Sequence, residues 1–225
     1  MLDALQEEPG LKMTIVRWLA ERPTLPPGVA HLICAWLEDG AAVALKEELL
    51  TTLRLSRARE SLPNHLLAAV VALALRRTEA VRDRDNALWI WGGQPRLSDE
   101  HFEAVVALAR REDEDRSVRT AAVQVLAQPG LSGERLEAVA AMLLEEVPWY
   151  VRDAVLGVLK VQPSLSDTHL EAVLALACRK DQDQSTRKAA WDVCTHTLTY
   201  PTRASRSQWH WSTVKTRRTA LGPLR

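Results

Sequence analysis

Residues 97–105 read Leu97-Ser98-Asp99-Glu100-His101-Phe102-Glu103-Ala104-Val105, and the same motif returns twice at a spacing of 34 residues. The later copies are LSGERLEAV at residues 131–139 and LSDTHLEAV at residues 165–173. A second marker follows each copy: VRTAA at 118–122, VRDAV at 151–155 and TRKAA at 186–190. Self-similarity at a period of roughly 20–50 residues is typical of solenoids, in which one supersecondary unit stacks on the next.

Each copy has the pattern of a helical hairpin. The Ser after the opening Leu can supply the side-chain oxygen that caps a helix N-terminus. Apolar residues then recur at helical spacing, a polar turn follows, and the second marker opens another helical stretch. In the copy that begins at Leu97, the first stripe consists of Phe102, Val105, Val106, Leu108 and Ala109. The sequence therefore predicts an all-α solenoid of stacked antiparallel helical hairpins.

Weaker copies extend the array towards the N-terminus. Leu62-Pro63-Asn64-His65 stands where Leu97-Ser98-Asp99-Glu100 stands later, and a Gln-Pro pair closes three of the copies. The predicted organisation is an N-terminal helix or half-repeat cap (1–24), five repeats (25–61, 62–96, 97–130, 131–164 and 165–198) and a basic tail (199–225). The opening in mid-repeat suits either a dedicated cap or a piece of a longer multidomain chain, because terminal repeats of solenoids are atypical.

The second marker resembles the HEAT-repeat family in its bacterial form, whose consensus places Asp three residues before a Val-Arg pair. Residues 115–119 match this consensus in full, residues 183–187 match with Thr186 in place of Val, and the copy at 148–152 has Pro148 and no Asp. The resemblance implies a right-handed α-solenoid. It also implies a ladder of Asp and Arg side chains between repeats, which would consist of Asp115, Arg119, Arg152, Asp183 and Arg187.

Charge is balanced overall but unevenly placed. The chain has 29 basic and 29 acidic residues, and six of the basic residues but none of the acidic ones follow residue 198. Residues 1–198 therefore carry 23 basic and 29 acidic side chains, a balance of −6. An acidic body argues against nucleic-acid binding, which needs many Lys and Arg on one face. The start is acidic and no apolar run is long enough to span a bilayer, so we expect a cytoplasmic protein with no membrane contact.

Eight tryptophans are a high number for 225 residues. Trp18, Trp36 and Trp91 lie on apolar stripes and are predicted to be buried. Trp89 lies at a second-helix position that faces away from the core, and the second helices of HEAT-like arrays line the concave face. An exposed Trp is a typical interface anchor. The predicted partner-binding residues are Trp89, Thr120, Gln124, Asp153, Gly157, Lys188 and Asp192, together with Trp149 and Tyr150 at the start of a second helix.

Catalytic and metal-binding motifs are not found in the sequence. The six histidines form no HExxH motif, Gly92-Gly93 is the only glycine pair, and no Ser or Cys stands in a nucleophile motif. The three cysteines have no CxxC spacing and are predicted to be buried free thiols. We therefore expect neither enzymatic activity nor a cofactor or metal. The predicted function is a protein interaction scaffold or sensor module that binds a protein of unknown identity.

One enzymatic alternative stays open at this point. HEAT-like DNA glycosylases for alkylated bases use Trp, Asp and Arg in a concave cleft. Here Trp149 and Asp153 stand four residues apart on one helix face, and Arg187, Lys188 and Trp191 follow one repeat later. Aromatic rings could stack a base and a carboxylate could steady a cationic sugar. In the competing interpretation, Asp153 is an ordinary surface residue and Arg187 belongs to the ladder.

Overall fold

The computed structural model of the chain describes Thr14, Trp18 and residues 24–38 and 43–199. Within these ranges the fold is all-helical, with ten α-helices and no strand. The helices are α1 (Pro27–Glu38), α2 (Val43–Leu55), α3 (Asn64–Leu75), α4 (Val81–Gly92), α5 (Asp99–Arg110), α6 (Arg116–Val125), α7 (Gly133–Ala141), α8 (Trp149–Lys160), α9 (Asp167–Cys178) and α10 (Gln184–Thr199). A short 3₁₀ helix, Arg57–Ser61, follows α2. None of the described helices is both long and apolar enough to cross a membrane.

The helices form two layers of stacked hairpins. Each predicted repeat interval holds two helices, and the two helices of each hairpin from α3 to α10 pack together. The second helices also form a continuous row, in which α2 packs on α4, α4 on α6, α6 on α8 and α8 on α10. This row places side chains from successive repeats side by side, as expected for a solenoid.

Helix starts follow the capping residues of the motif. The Ser98 side chain accepts a hydrogen bond from the backbone N–H of His101 (3.2 Å). The Ser166 side chain likewise accepts a hydrogen bond from the His169 backbone N–H, and the His169 ring nitrogen Nδ1 accepts one from the Ser166 backbone N–H. Asp115 caps α6 by accepting from the Ser117 backbone N–H (2.7 Å). Ser132 makes no side-chain capping bond, so the second copy of the motif begins its helix without one.

The core runs through the whole array between the two layers. The five leucines that recur on the predicted core stripes are all buried, namely Leu108, Leu126, Leu143, Leu159 and Leu176. Trp36 and Trp91 are buried as predicted, whereas Trp18 is 37% exposed and the prediction for it is wrong. The other residues of its predicted stripe (Leu11, Ile15 and Leu19) lie outside the described residues.

The cysteines only partly match their prediction. All three are free thiols, but Cys178 is exposed and Cys34 is half-buried. Cys178 ends a first helix at the position that Arg110 and Leu144 occupy in earlier repeats, and both of those are exposed as well. Cys194 is buried between helices, and this burial raises the pKa of its thiol to about 11.

A ladder of glutamines links the ends of the second helices. The Gln162 amide donates to the Gln128 backbone carbonyl (2.9 Å), and the Gln128 amide donates to the Gln94 carbonyl (3.1 Å). Gln94 continues the series by donating to the carbonyl of Arg59. The glutamine of each Gln-Pro pair thus satisfies a backbone group of the preceding repeat. A buried carbonyl without such a partner would be costly.

A second ladder uses arginines, but its partners differ from the expected ones. Arg84 binds both carboxylate oxygens of Glu114 in the next repeat (2.7 Å each), and Arg152 donates to the Gln182 side chain (3.1 Å). These partners stand one residue before Asp115 and Asp183, the residues that the consensus would use. The expected role of Asp115 is therefore corrected, because its carboxylate is turned towards the N-terminus of its own helix.

Arg119 is the exception in this ladder. Its Nε donates to the Ala109 carbonyl (3.0 Å) of its own repeat, as the Nε of Arg84 does to the Ala74 carbonyl (3.1 Å). Its guanidinium lies 5.8 Å from the ring centroid of Tyr150 in the next repeat. The counterpart of Glu114 and Gln182 in that repeat is Val147, which has no side-chain acceptor. In the arginine ladder, the link between the third and fourth repeats is therefore made by a ring and not by a carboxylate or an amide.

Candidate functional site

The row of second helices carries an open groove of about 740 Å³, which we call the α4–α6–α8 groove. Three successive repeats contribute to it, and their side chains recur at equivalent helix positions. Its lining residues are Asp85, Trp89, Asp115, Arg116, Ser117, Thr120, Ala121, Gln124, Trp149, Tyr150, Asp153 and Ala154. The stacking of α4, α6 and α8 thus turns positions that are distant in the sequence into one surface.

Six of the predicted partner-binding residues line this groove. They are Trp89, Thr120, Gln124, Trp149, Tyr150 and Asp153. Lys188 and Asp192 do not line it: both are exposed on α10, beyond the helices that form the groove. Gly157 is exposed on α8 with open space around its Cα. The structure therefore brings together six predicted residues of the middle repeats and leaves Gly157 and the two residues of the last repeat apart.

A small pocket of about 90 Å³ adjoins the groove at the C-terminal end of α4. It shares Trp89, Ala121 and Gln124 with the groove. Its wall depends on the close approach of α4 to α6, because a Cβ at Gly92 would lie 3.3 Å from the Val125 Cα atom. Glycine at this position lets the two backbones meet, which a side chain would oppose.

The α8 side of the groove is an aromatic corner. Trp149 is 43% exposed and meets the Tyr150 ring edge to face, with centroids 6.0 Å apart. The Arg116 guanidinium lies 4.7 Å from the Trp149 centroid and 5.0 Å from the Tyr150 centroid. Such a cation over an aromatic face is attracted by the ring quadrupole. Arg116 was not among the predicted residues, although its place directly after the capping Asp115 was visible in the sequence.

The α4 side of the groove is centred on Trp89, which was predicted to be an exposed anchor and is half-buried. The Arg54 guanidinium covers its ring at 4.7 Å from the centroid. Arg54 is held there by donating to Asn86 Oδ1 (3.1 Å) and by its pairing with Asp85 (3.6 Å). Trp89 therefore presents only part of its surface to the groove.

Three carboxylates and one arginine belong to the groove lining. Partial burial raises the pKa of Asp85, an effect that nearby Arg54 opposes. Hydrogen bonds from Ser117 lower the pKa of Asp115. Asp153 accepts a hydrogen bond from the Thr186 hydroxyl (2.6 Å). Acidic and aromatic side chains next to each other suit a ligand with cationic groups on long aliphatic stems.

The residues of the glycosylase alternative are not gathered in one place. Trp149 and Asp153 line the groove, but Arg187, Lys188 and Trp191 do not. Asp153 is engaged by Thr186 across the α8–α10 contact, which is a structural role. Within the described ranges, no three His, Cys, Asp or Glu side chains are arranged so that they could hold a metal ion.

Comparison with solved structures places the fold among engineered helical repeat proteins. A designed armadillo repeat protein in complex with the peptide (KR)4 superposes with a TM-score of 0.54 at 12% identity, over 87% of this chain and 97% of that chain. A second designed armadillo repeat protein gives 0.51 at 12% identity, over 87% and 98%. A crystal structure described as an engineered protein gives 0.52 at 13% identity, over 88% and 98%.

Sequence comparisons add no family assignment. No family model matches the chain, and no curated protein gives a significant match. At 12–13% identity the structural likeness concerns the fold alone. The chain is accordingly an α-solenoid of helical repeats, and its resemblance to the HEAT family in particular is not established by these comparisons.

Proposed function

We propose that the chain is a non-catalytic interaction scaffold or sensor module, and that the α4–α6–α8 groove binds an extended segment of a protein partner. One observation carries this proposal: six predicted side chains, four of them chosen for their helix phase and two for their place at the start of α8, line a single groove across three repeats. Adjacent helix axes are roughly 8–10 Å apart, so three helices span about 20 Å, or about six residues of extended chain. Extended peptides are a common ligand of such surfaces, because repeats offer regularly spaced side chains.

The chemistry of the groove favours a basic segment. Asp85, Asp115 and Asp153 outnumber Arg116 in the lining, and the aromatic rings of Trp149 and Tyr150 lie among them. Arg116 already illustrates how a guanidinium rests on these two rings. Lys and Arg side chains of a ligand would place their stems on aromatic surface and their charges near carboxylates. The (KR)4 peptide bound by one structurally similar designed protein is a ligand of this kind.

The test is a binding measurement with a labelled (KR)4 peptide and an (ED)4 peptide of equal length, by fluorescence anisotropy on the full chain. We expect (KR)4 to bind with salt-sensitive affinity and (ED)4 not to bind. Trp149→Ala should weaken binding by about 2 kcal/mol, roughly thirtyfold. Asp85→Asn should weaken it less, since it removes one partly screened charge.

Two control variants separate a local effect from a general one. Leu144→Ala removes an exposed apolar side chain outside the groove, and Glu134→Gln removes an exposed carboxylate on α7 in the first layer. Both should bind like the parent chain, and all four variants should melt within a few degrees of it. Equal affinity for the two peptides, or unchanged (KR)4 affinity in Trp149→Ala, would contradict the proposal.

A further inference from the structure

One position of the second helices behaves differently in the last described repeat. Leu88, Val123 and Leu156 occupy it in α4, α6 and α8 and are 0%, 0% and 1% exposed. Trp191 occupies it in α10 and is 42% exposed. The first three helices each have a following second helix packed against them, whereas α10 is the last of the row within the described residues. The position therefore faces the next unit of the stack, and at Trp191 this face is open.

The arginine ladder stops at the same place. Arg84 and Arg152 direct their guanidinium groups to Glu114 and Gln182 in the following repeat. Arg187 is their counterpart on α10. Within the described residues, no following repeat is present for its guanidinium to bind. An apolar ring and a guanidinium thus occupy what we call the end face, defined by Arg187 and Trp191.

An open end face of this composition is unfavourable in water. Terminal repeats of solenoids normally present a polar outer surface or are covered by a cap, because each internal repeat face is apolar. A large exposed Trp such as Trp191 gains from being covered.

We propose that residues 200–225 of this chain cover the end face. The segment follows directly from α10, which ends at Thr199, eight residues or roughly 12 Å along the helix from Trp191. It lacks the repeat motif but contains apolar and aromatic residues suited to such a contact, namely Tyr200, Trp209, Trp211, Val214 and Leu221. It contains no Asp or Glu, so its side-chain hydroxyl and amide groups and its backbone carbonyls would be the acceptors for the Arg187 guanidinium.

Two further arguments favour this occupant over a second copy of the chain. The charged side chains of the segment are all basic, whereas residues 1–198 have a net charge of −6. The segment is therefore attracted to the rest of the chain at long range. Covalent attachment also gives the segment an effective concentration in the millimolar range, which a second copy would not reach in dilute solution.

Site-specific photo-crosslinking tests the proposal on the full chain. Trp191 is replaced by p-benzoylphenylalanine, the purified protein is irradiated, and crosslinked peptides are mapped by mass spectrometry. We expect intrachain crosslinks from position 191 to residues 200–225. The same replacement at Trp149, an equally exposed Trp in the groove, is the matched control and should give no crosslink to that segment.

Every other pattern contradicts the proposal. Crosslinks between two chains at position 191 would identify a second copy as the occupant. Crosslinks to residues 200–225 from position 149 but not from 191 would place the segment in the groove. The absence of any crosslink from 191 to the segment would mean that it does not cover this face.

A second measurement keeps the test independent of the crosslinker. Hydrogen exchange of α10 is compared between the full chain and a chain that ends at residue 199. Loss of a covering segment should speed exchange in α10 by about tenfold or more, while α4 remains unchanged. Identical exchange of α10 in the two chains would overturn the proposal.

Discussion

At the scale of single residues, the contact between Arg84 and Glu114 is the most consequential polar pair of the array. Both side chains are largely buried, and both carboxylate oxygens of Glu114 accept from the guanidinium. These hydrogen bonds from Arg84 lower the pKa of Glu114 below its usual range. A carboxyl with a lowered pKa in the folded state stabilises the fold above its unfolded pKa of about 4.3, and this stabilisation is lost as pH falls through the folded pKa.

Glu114→Gln should therefore lower the free energy of unfolding by about 1–3 kcal/mol at pH 7 and by less at pH 3.5. Urea denaturation at the two pH values measures this. The neighbouring Asp113→Asn is the control, because Asp113 is 62% exposed in its pair with Arg77 and such a pair contributes about 0–1 kcal/mol. Burial raises the pKa of Asp83 and Asp85, which act in the opposite direction, so variant and parent are compared at the same pH. A difference between variant and parent that does not change with pH would contradict this account.

The role of a residue could be predicted where it depends on the helix face that the residue occupies. It could not be predicted where it depends on which of two neighbouring side chains makes a contact, or on which rotamer a side chain adopts. The phase predicted the burial of Trp91 and the groove positions of Thr120 and Gln124. It could not predict that Glu114, and not Asp115, would meet the arginine of the preceding repeat, since the two are neighbours and compete for one contact. The contact of the Arg54 guanidinium with the face of the Trp89 ring could not be predicted either, because a long side chain can adopt many rotamers.

At the scale of elements, two glycines on second helices have opposite surroundings. Gly157 lies within α8 with nothing within 4 Å of an added Cβ, whereas Gly92 ends α4 against the backbone of Val125. Gly157→Ala should stabilise the protein by about 0.5–1 kcal/mol, because glycine in a helix interior loses more conformational entropy. Gly92→Ala should destabilise it by about 1 kcal/mol or more, since α4 and α6 would have to separate.

Thermal and urea denaturation of the two variants, each compared with the parent chain, measure this contrast. The same chemical change is made at both sites, so the helix propensity gained by adding a methyl group is common to them. If both variants were stabilised equally, the close approach of α4 to α6 would not constrain the fold.

Element boundaries followed the repeat except in one place. The fourth repeat has one residue fewer in its turn, and α7 ends at Ala141, so the buried Met142 and Leu143 lie beyond the helix. The glutamines of the Gln-Pro pairs recur at fixed spacing in the sequence, but they were interpreted only as marking the ends of repeats. Their regularity was the signal for the ladder, because a side chain that recurs at an interface position in each repeat meets the same neighbour each time.

At the scale of the whole molecule, charge distribution decides which polymers can bind. A chain cut after residue 198 has a balance of −6 and should show no measurable affinity for duplex DNA at physiological salt. The measurement is an anisotropy titration at two salt concentrations, with the full chain alongside. Micromolar affinity of the shortened chain with a steep salt dependence would show that its basic residues share one face, and it would revive the glycosylase alternative.

The two ladders also govern how the chain folds. The glutamine contacts join residues 34 positions apart, and Arg84 reaches only 30 positions to Glu114. Native contacts of such short sequence separation favour rapid folding that begins in any hairpin pair and propagates like a zipper. The arginine ladder contributes least between the third and fourth repeats, where Arg119 meets the Tyr150 ring instead of an acceptor. The molecule should therefore open first at that seam, separating a block that ends with α6 from a block that begins with α7.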